Sequence, residues 1–118
     1  MTTPHLPDVA GALRTIEVAK AMGVRIMGII LNSVKGKGYE VTAAELEAVS
    51  GVRVLQTIPW DSEIPKSISL KTPVIEHSQV ASSSIAFYEM ASKITGLNYD
   101  KPNLVGLRRF MKTLSKIV

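Results

Sequence analysis

The feature that most constrains the fold is an almost unbroken apolar run, Ile26 to Leu31, within VRIMGIILNSV. A strand with one solvated face alternates apolar and polar residues. A run without alternation is typical of a strand buried on both faces, as in a parallel sheet between helices. The segment VRVLQTIPW predicts a second strand, which Pro59 ends. Since parallel strands need a crossover connection, we expect a helix between the two.

Two helices are predicted on the N-terminal side of the second strand. The segment PDVAGALRTIEVAKAMG repeats apolar residues at helical spacing and reaches Gly23, a residue typical of helix ends. Thr42 and Glu45 have the spacing of a capping box at the start of the short helix AAELEAVS, which Gly51 closes. The apolar residues that recur near the helical period in the first helix are Val9, Leu13, Ile16, Ala19 and Met22.

Beyond the second strand, Asp61 or Ser62 is predicted to cap another short helix, and TPVIEHSQ is predicted to be irregular. The stretch from Ser82 to Thr95 predicts a longer helix that Gly96 stops. Its predicted inward residues are Ile85, Tyr88, Met90, Ala91 and Ile94.

This order of elements predicts an α/β fold with parallel strands, flanking helices and a C-terminal amphipathic helix. Two strands leave both sheet edges open, so the body is interpreted as half of a larger sheet. We divide the chain into a body at residues 1–96, a linker at 97–103 and a final segment at 104–118.

Composition excludes several classes of protein. The chain has no cysteine, which removes disulfides, thiolate metal sites and cysteine nucleophiles. No apolar run approaches the ~20 residues that span a bilayer. The start, MTTPHLPDV, lacks the basic and apolar regions of a signal peptide.

Three segments of the body together resemble the C-terminal half of MinD-type ATPases, members of the deviant Walker P-loop family and relatives of the ParA partition ATPases. The segments are TTPHLPDVAGALRTIEVAKAMGVRIMGIILNSV, YEVTAAELEAVSGVRVLQTIPWDSEIPKSI and TPVIEHSQVASSSIAFYEMASKITG. The resemblance covers roughly residues 2–96, and ILN after one strand and IP-x-D after the next are its most specific motifs. It implies a P-loop NTPase-like α/β fold, here a partial doubly wound and mostly parallel sheet with flanking helices, with Thr2 and Thr3 at the end of a further strand.

The resemblance also implies ATP or ADP with Mg²⁺ as cofactor, with the base held by Asn32, Ile58, Pro59 and Asp61. An asparagine amide offers a donor and an acceptor to a purine edge. Ligands of open α/β sheets bind beyond the carboxyl ends of the strands. The alternative is that Asn32 only caps a strand end and Asp61 only caps a helix.

The sequence contains no G-x-x-x-x-G-K-[ST] motif, and the GKG at residues 36–38 has no Ser or Thr at the required place. Without such a loop, no row of amides is aimed at the phosphates. We therefore expect no catalytic residue, no metal site, no tight nucleotide binding and no ATP hydrolysis by this chain alone.

Residues 101–118 contain five of the fourteen Lys and Arg residues, four of them in the final segment, and none of the ten acidic residues. On a helix, one arc of about 140° is apolar and a separate arc of about 100° is cationic. The predicted membrane-binding residues are Leu104, Leu107, Arg108, Arg109, Phe110, Met111, Lys112, Leu114, Lys116, Ile117 and Val118. Such a helix lies in the interface of an anionic membrane; the alternative is a last helix that packs on the body.

Two classes of function remain. The first is part of a MinD-like ATPase for cell-division site selection or intracellular positioning, cytoplasmic and peripheral on the inner face of the cell membrane. The resemblance implies a homodimer and cell-division regulators as its partners. The second is a non-enzymatic membrane or partner-binding adaptor. DNA binding, as in ParA relatives, is disfavoured because phosphate contacts do not need an opposite apolar face.

Overall fold

The structure, a computed structural model, describes residues 1–100. Its elements in chain order are α1 (Leu6–Ala21), β1 (Ile29–Val34), α2 (Ala43–Ser50), β2 (Val54–Pro59), α3 (Glu63–Ser69), α4 (Val74–His77) and α5 (Ser82–Thr95). The end of the predicted linker and all of the predicted membrane-binding helix lie outside the described residues.

The two strands pair in parallel, with Ile29 opposite Val54 and Val34 opposite Pro59. On the other side of β1, Thr2 forms an isolated parallel bridge with Leu31. The Thr2 amide donates to the Ile30 carbonyl at 2.9 Å, and its carbonyl accepts from the Asn32 amide at 2.8 Å. β1 therefore has backbone partners on both sides, and Thr2 occupies the place of a neighbouring parallel strand.

Consecutive side chains of β1 enter two different cores, which confirms the prediction that this strand is buried on both faces. Ile29 and Leu31 are buried in one cluster with Val9, Ile16 and Leu46 from α1 and α2. Ile30 lies in the other cluster with Ile58 and Ala86 from β2 and α5. Helices therefore cover both faces, and the predicted α/β class is confirmed.

The helix ends follow the predicted capping signals. Thr42 and Glu45 form both hydrogen bonds of the capping box at the start of α2. Gly51 and Gly96 adopt the left-handed conformation at the ends of α2 and α5. A side chain is rarely accommodated at such φ values, which explains why these glycines stop the two helices.

Two boundary predictions near β1 were wrong. Met22 is 73% exposed, because α1 ends at Ala21 and the chain turns at Gly23 with φ 69°. The strand begins at Ile29, and Met27 is 56% exposed. The apolar run is therefore longer than the strand that it predicts.

The predicted inward face of α5 was partly wrong. Its buried residues are Ser83, Ser84 and Ala86, whereas Ile94 is 44% exposed. Short side chains face inward at the start of this helix because they hydrogen-bond to neighbouring segments there. The segment predicted to be irregular contains α4, a single turn from Val74 to His77.

Candidate functional site

The candidate site lies at the edge of the sheet where β1 and β2 both end, which we call the carboxyl edge. It consists of residues 32–40 after the middle of β1 and residues 58–62 at the end of β2. The backbone amide of Trp60 donates to the carbonyl of Val34 at 2.9 Å. This hydrogen bond joins the two loops at their start, so side chains from both strands face one region.

Asn32 is half-buried at an irregularity of β1, between the regular pairs at Leu31 and Val34. Its side-chain oxygen Oδ1 accepts from the amide of Ser33 at 2.9 Å, and Ser33 has a positive φ of 59°. This local turn holds the asparagine amide in one orientation. Its oxygen is engaged by the chain, and its Nδ2 has no hydrogen-bond partner among residues 1–100.

Pro59 is the last residue of β2 and is partly exposed, so its ring and carbonyl can be reached from the carboxyl edge. Ile58, immediately before it, is 0% exposed and packs with Ile30 and Ala86. The side chain of Ile58 is thus part of the core. Any contact that this residue makes with a ligand must use its backbone.

Asp61 is directed at the starts of two helices. One carboxylate oxygen accepts from the amide of Glu63 at 2.9 Å. The other accepts from the amide and hydroxyl of Ser83 at 3.0 and 2.9 Å and from the hydroxyl of Ser82 at 3.1 Å. Burial raises the pKa of Asp61, but these hydrogen bonds outweigh burial and lower it overall. The carboxylate therefore joins α3 to α5, the capping role that the sequence left as the alternative to nucleotide contact.

Sequence reasoning missed the residue that organises the loop after β1, Glu40. Its carboxylate is buried and accepts from three consecutive backbone amides, those of Lys35 at 3.0 Å, Gly36 at 2.8 Å and Lys37 at 3.3 Å. Burial raises the pKa of Glu40, but these amide bonds lower it overall. A single acid placed after a Gly-rich basic loop was the available signal.

The sequence analysis also missed Trp60 as a site residue. Its side chain is 49% exposed, and the Lys35 ammonium lies 5.3 Å from the centre of a ring of its indole. This distance is typical of a cation–π contact. The carboxyl edge thus brings together an asparagine amide, a proline and a half-exposed tryptophan beside a cation.

Two kinds of group that hold phosphates and metal ions are free amides in a loop and clusters of acidic residues. Among residues 1–100, no cluster of three or more His, Asp or Glu residues is placed to hold a metal ion. The amides of the 35–37 loop are already occupied by Glu40.

Within residues 1–100, no helix has the length and apolar content needed to cross a membrane.

Curated relatives of this chain include proteins named as ATP-binding proteins and a protein named as a MinD. Two uncharacterized ATP-binding proteins of Methanocaldococcus jannaschii, MJ0547 and MJ0169, are 26% and 30% identical over 85% and 82% of this chain. A protein provisionally named septum site-determining protein MinD, of Tupiella akineta, is 25% identical over 81% of the chain. The chain spans 38%, 37% and 33% of the lengths of these three relatives. No protein-family model matches the chain.

Solved MinD structures share the fold. The septum site-determining protein MinD of Pyrococcus horikoshii, complexed with Mg-ADP, superposes with a TM-score of 0.74 at 21% identity, over 91% of this chain and 41% of that one. The MinC:MinD cell division complex of Aquifex aeolicus superposes with a TM-score of 0.73 at 16% identity, over 86% of this chain and 43% of that one. These similarities establish the fold of the body.

Proposed function

We propose that this chain is part of a MinD-like P-loop ATPase, to which its relatives and structural neighbours are similar, and that its carboxyl edge holds the base of ATP or ADP. The observation that carries this proposal is that Asn32 and Pro59 lie toward the carboxyl ends of two paired strands, where the Trp60 amide donates to the Val34 carbonyl. The Asn32 Nδ2 donates to an acceptor on the purine, and Pro59 offers a flat apolar wall and a carbonyl.

The same proposal assigns the phosphates and Mg²⁺ to residues outside these 118. These 118 residues contain no G-x-x-x-x-G-K-[ST] motif, and the 35–37 amides are bonded to Glu40. When bound, Mg²⁺ and its ligands would supply charge neutralisation of the phosphates. What this chain contributes is recognition of the base, so we expect its own affinity for ADP to be weak, about millimolar.

The test is a titration of the ¹⁵N-labelled 118-residue chain with ADP up to about 10 mM, followed by amide chemical shifts. We expect the Asn32 side-chain amide and the Ser33 backbone amide to move, and Asn32→Ala to weaken binding. Asn98→Ala is the matched control, because Asn98 is exposed and lies after α5. Unchanged Asn32 and Ser33 signals at the highest concentration would overturn the proposal.

A second part of the proposal is peripheral membrane association through residues 104–118. It is supported by the sequence, in which cations and large apolar residues fall in separate arcs and acids are missing. Each cation near an anionic surface contributes about 1 kcal/mol. The protein would then work in the cytoplasm, at the inner face of the cell membrane.

Co-sedimentation with anionic liposomes tests the membrane proposal. Replacing Arg108 and Arg109 by Glu removes two favourable charges and adds two unfavourable ones, so we expect at least a tenfold loss of partitioning. Arg14→Glu with Lys20→Glu makes the same charge change on the exposed surface of α1 and serves as the control. Equal loss in both variants would indicate a general charge effect and would contradict the assignment to the C-terminal segment.

At the level of the whole protein, we propose a role in cell-division site selection or intracellular positioning, with a homodimer and a cell-division regulator as partners. The Aquifex aeolicus neighbour, solved as a MinC:MinD complex, supports a regulator of this kind. A dimer would present two C-terminal segments to one membrane, and two weak anchors bind far more tightly than one.

Two results would favour the alternative functions. If the chain pellets with liposomes but does not bind ADP, the adaptor function is favoured. If it binds DNA in a charge-dependent way and does not bind lipid, the partition function is favoured.

A further inference from the structure

Trp60 is the only tryptophan of the chain and follows directly on Pro59 at the carboxyl edge. Its side chain is 49% exposed. A single exposed apolar residue needs no explanation on an ordinary surface. Trp60 differs because it stands beside the residues proposed to hold a base, where a large flat surface has a defined use.

The backbone on either side of the indole is fixed. The Trp60 amide donates to the Val34 carbonyl at 2.9 Å, and Asp61, the next residue, caps both α3 and α5. Its neighbour Lys35 is held through its own amide, which donates to the Glu40 carboxylate at 3.0 Å. The backbone that carries the indole is therefore held in place by hydrogen bonds before any ligand arrives.

The chemistry of the pair suits an anionic aromatic ligand. The Lys35 ammonium lies 5.3 Å from the indole ring centre, so a positive charge and an aromatic surface occupy one place. A nucleoside phosphate carries a flat π system and a negative charge in the same molecule. Base–aromatic stacking tolerates any base, because every base has a π face.

We propose that the exposed surface of the Trp60 indole stacks on the nucleobase of the ligand bound at the carboxyl edge. This inference rests on the proposed nucleotide site and assigns separate roles to two of its residues. Trp60 supplies affinity that is the same for all bases, whereas Asn32 supplies the hydrogen bond that distinguishes one base from another.

The test uses the indole N–H, which gives a single side-chain signal because the chain has one tryptophan. We titrate the labelled 118-residue chain with ADP and record the Trp60 indole, the Asn32 side-chain amide and the Ser33 amide together. Stacking places the base within the ring current of the indole, so we expect all three signals to move with one dissociation constant.

Two variants separate stacking from simple exposure. We expect Trp60→Leu to weaken the binding of ADP, GDP and CDP by a similar factor, about tenfold, and Trp60→Phe to retain most of the affinity. We expect Asn32→Ala, in contrast, to change the ratio between purine and pyrimidine nucleotides. If Trp60→Leu does not fold, the shift of the indole signal in the unmodified chain and the ADP affinity of Trp60→Phe still test whether the indole stacks on the base.

The outcomes distinguish this inference from the function on which it rests. Movement of Asn32 and Ser33 without the indole would overturn stacking and leave the nucleotide site intact. Movement of none of the three would overturn both. An affinity for ADP that is the same in Trp60→Leu as in the unmodified chain would show that the indole contributes nothing to binding.

Discussion

Replacing Asp61 by Ala separates the two roles that the sequence allowed for this residue. The carboxylate accepts from the amides of Glu63 and Ser83, at the first turns of α3 and α5, and from the hydroxyls of Ser82 and Ser83. Losing one helix cap destabilises a protein by about 0.5 to 2 kcal/mol. Two caps are lost here, but water can replace part of each bond at a partly exposed site. We therefore expect the free energy of unfolding to fall by about 1 to 3 kcal/mol.

Urea unfolding at pH 7, followed by circular dichroism, measures this loss. Asp61→Asn retains one side-chain oxygen as an acceptor, so we expect a smaller loss than for Asp61→Ala. Asp100→Ala removes an exposed acid after α5 and serves as the control. A midpoint for Asp61→Ala equal to that of the unmodified chain, combined with weaker ADP binding, would refute the capping argument and place the carboxylate in the ligand site.

Three further predictions concern the same body. A Cβ on Gly28 would lie 2.4 Å from a side-chain carbon of Leu55 in β2, so we expect Gly28→Ala to lower the free energy of unfolding by about 1 to 3 kcal/mol. A Cβ on Gly11 would meet no atom within 4 Å, so we expect Gly11→Ala to raise it by about 0.5 to 1 kcal/mol. Thermal unfolding measures both changes. Ile58 is fully buried, so Ile58→Ala should lower the free energy of unfolding by about 2 to 5 kcal/mol in urea. Folding lowers the pKa values of Asp61 and Glu40, so each ionised carboxylate stabilises the folded chain. This contribution is complete at pH values above the ordinary pKa of about 4, and it is lost as the pH falls through the lowered pKa. Acid titration of stability should accordingly show a shallower decline for Glu40→Gln, and an unchanged decline would contradict this assignment.

The sequence predicted the parallel sheet well because its signals there are local and strong. Unalternating apolar residues at Ile29 to Leu31 match burial on both faces, and the capping box of Thr42 and Glu45 forms as its spacing predicts. Such signals depend on only a few neighbouring residues. They need no knowledge of what the element packs against.

The inward face of α5 could not be predicted from hydropathy because polar side chains are satisfied there. The Ser84 hydroxyl donates to the carbonyls of Val74 and Ser78 at 3.1 and 2.6 Å, and that of Ser83 donates to Asp61 at 2.9 Å. A hydrogen-bonded serine is small enough to be buried at little cost. The periodicity of apolar residues therefore misses the serines on the face of α5 that packs, although it includes Met90, which contacts the core.

The candidate site was predicted in part. The sequence indicated Asn32 and Pro59, which the fold brings to one edge, but it did not indicate Glu40 or Trp60. Glu40 depends on how its own loop folds back, since its carboxylate accepts from amides three to five residues before it. Trp60 depends on a contact between two loops, since it meets Lys35 from the loop after β1. Neither a loop conformation nor a contact between loops is encoded by the hydrophobic spacing along one strand.

The loop after β1 contains the anion that its own backbone amides bind. Three successive amides that converge on one point form the kind of concavity with which proteins hold oxyanions. Here the chain fills that concavity with its own Glu40. A phosphate that approaches the end of β1 therefore meets amides that are already occupied, and the exposed side chains of Lys35 and Lys37 are the cationic groups that this loop can offer to it.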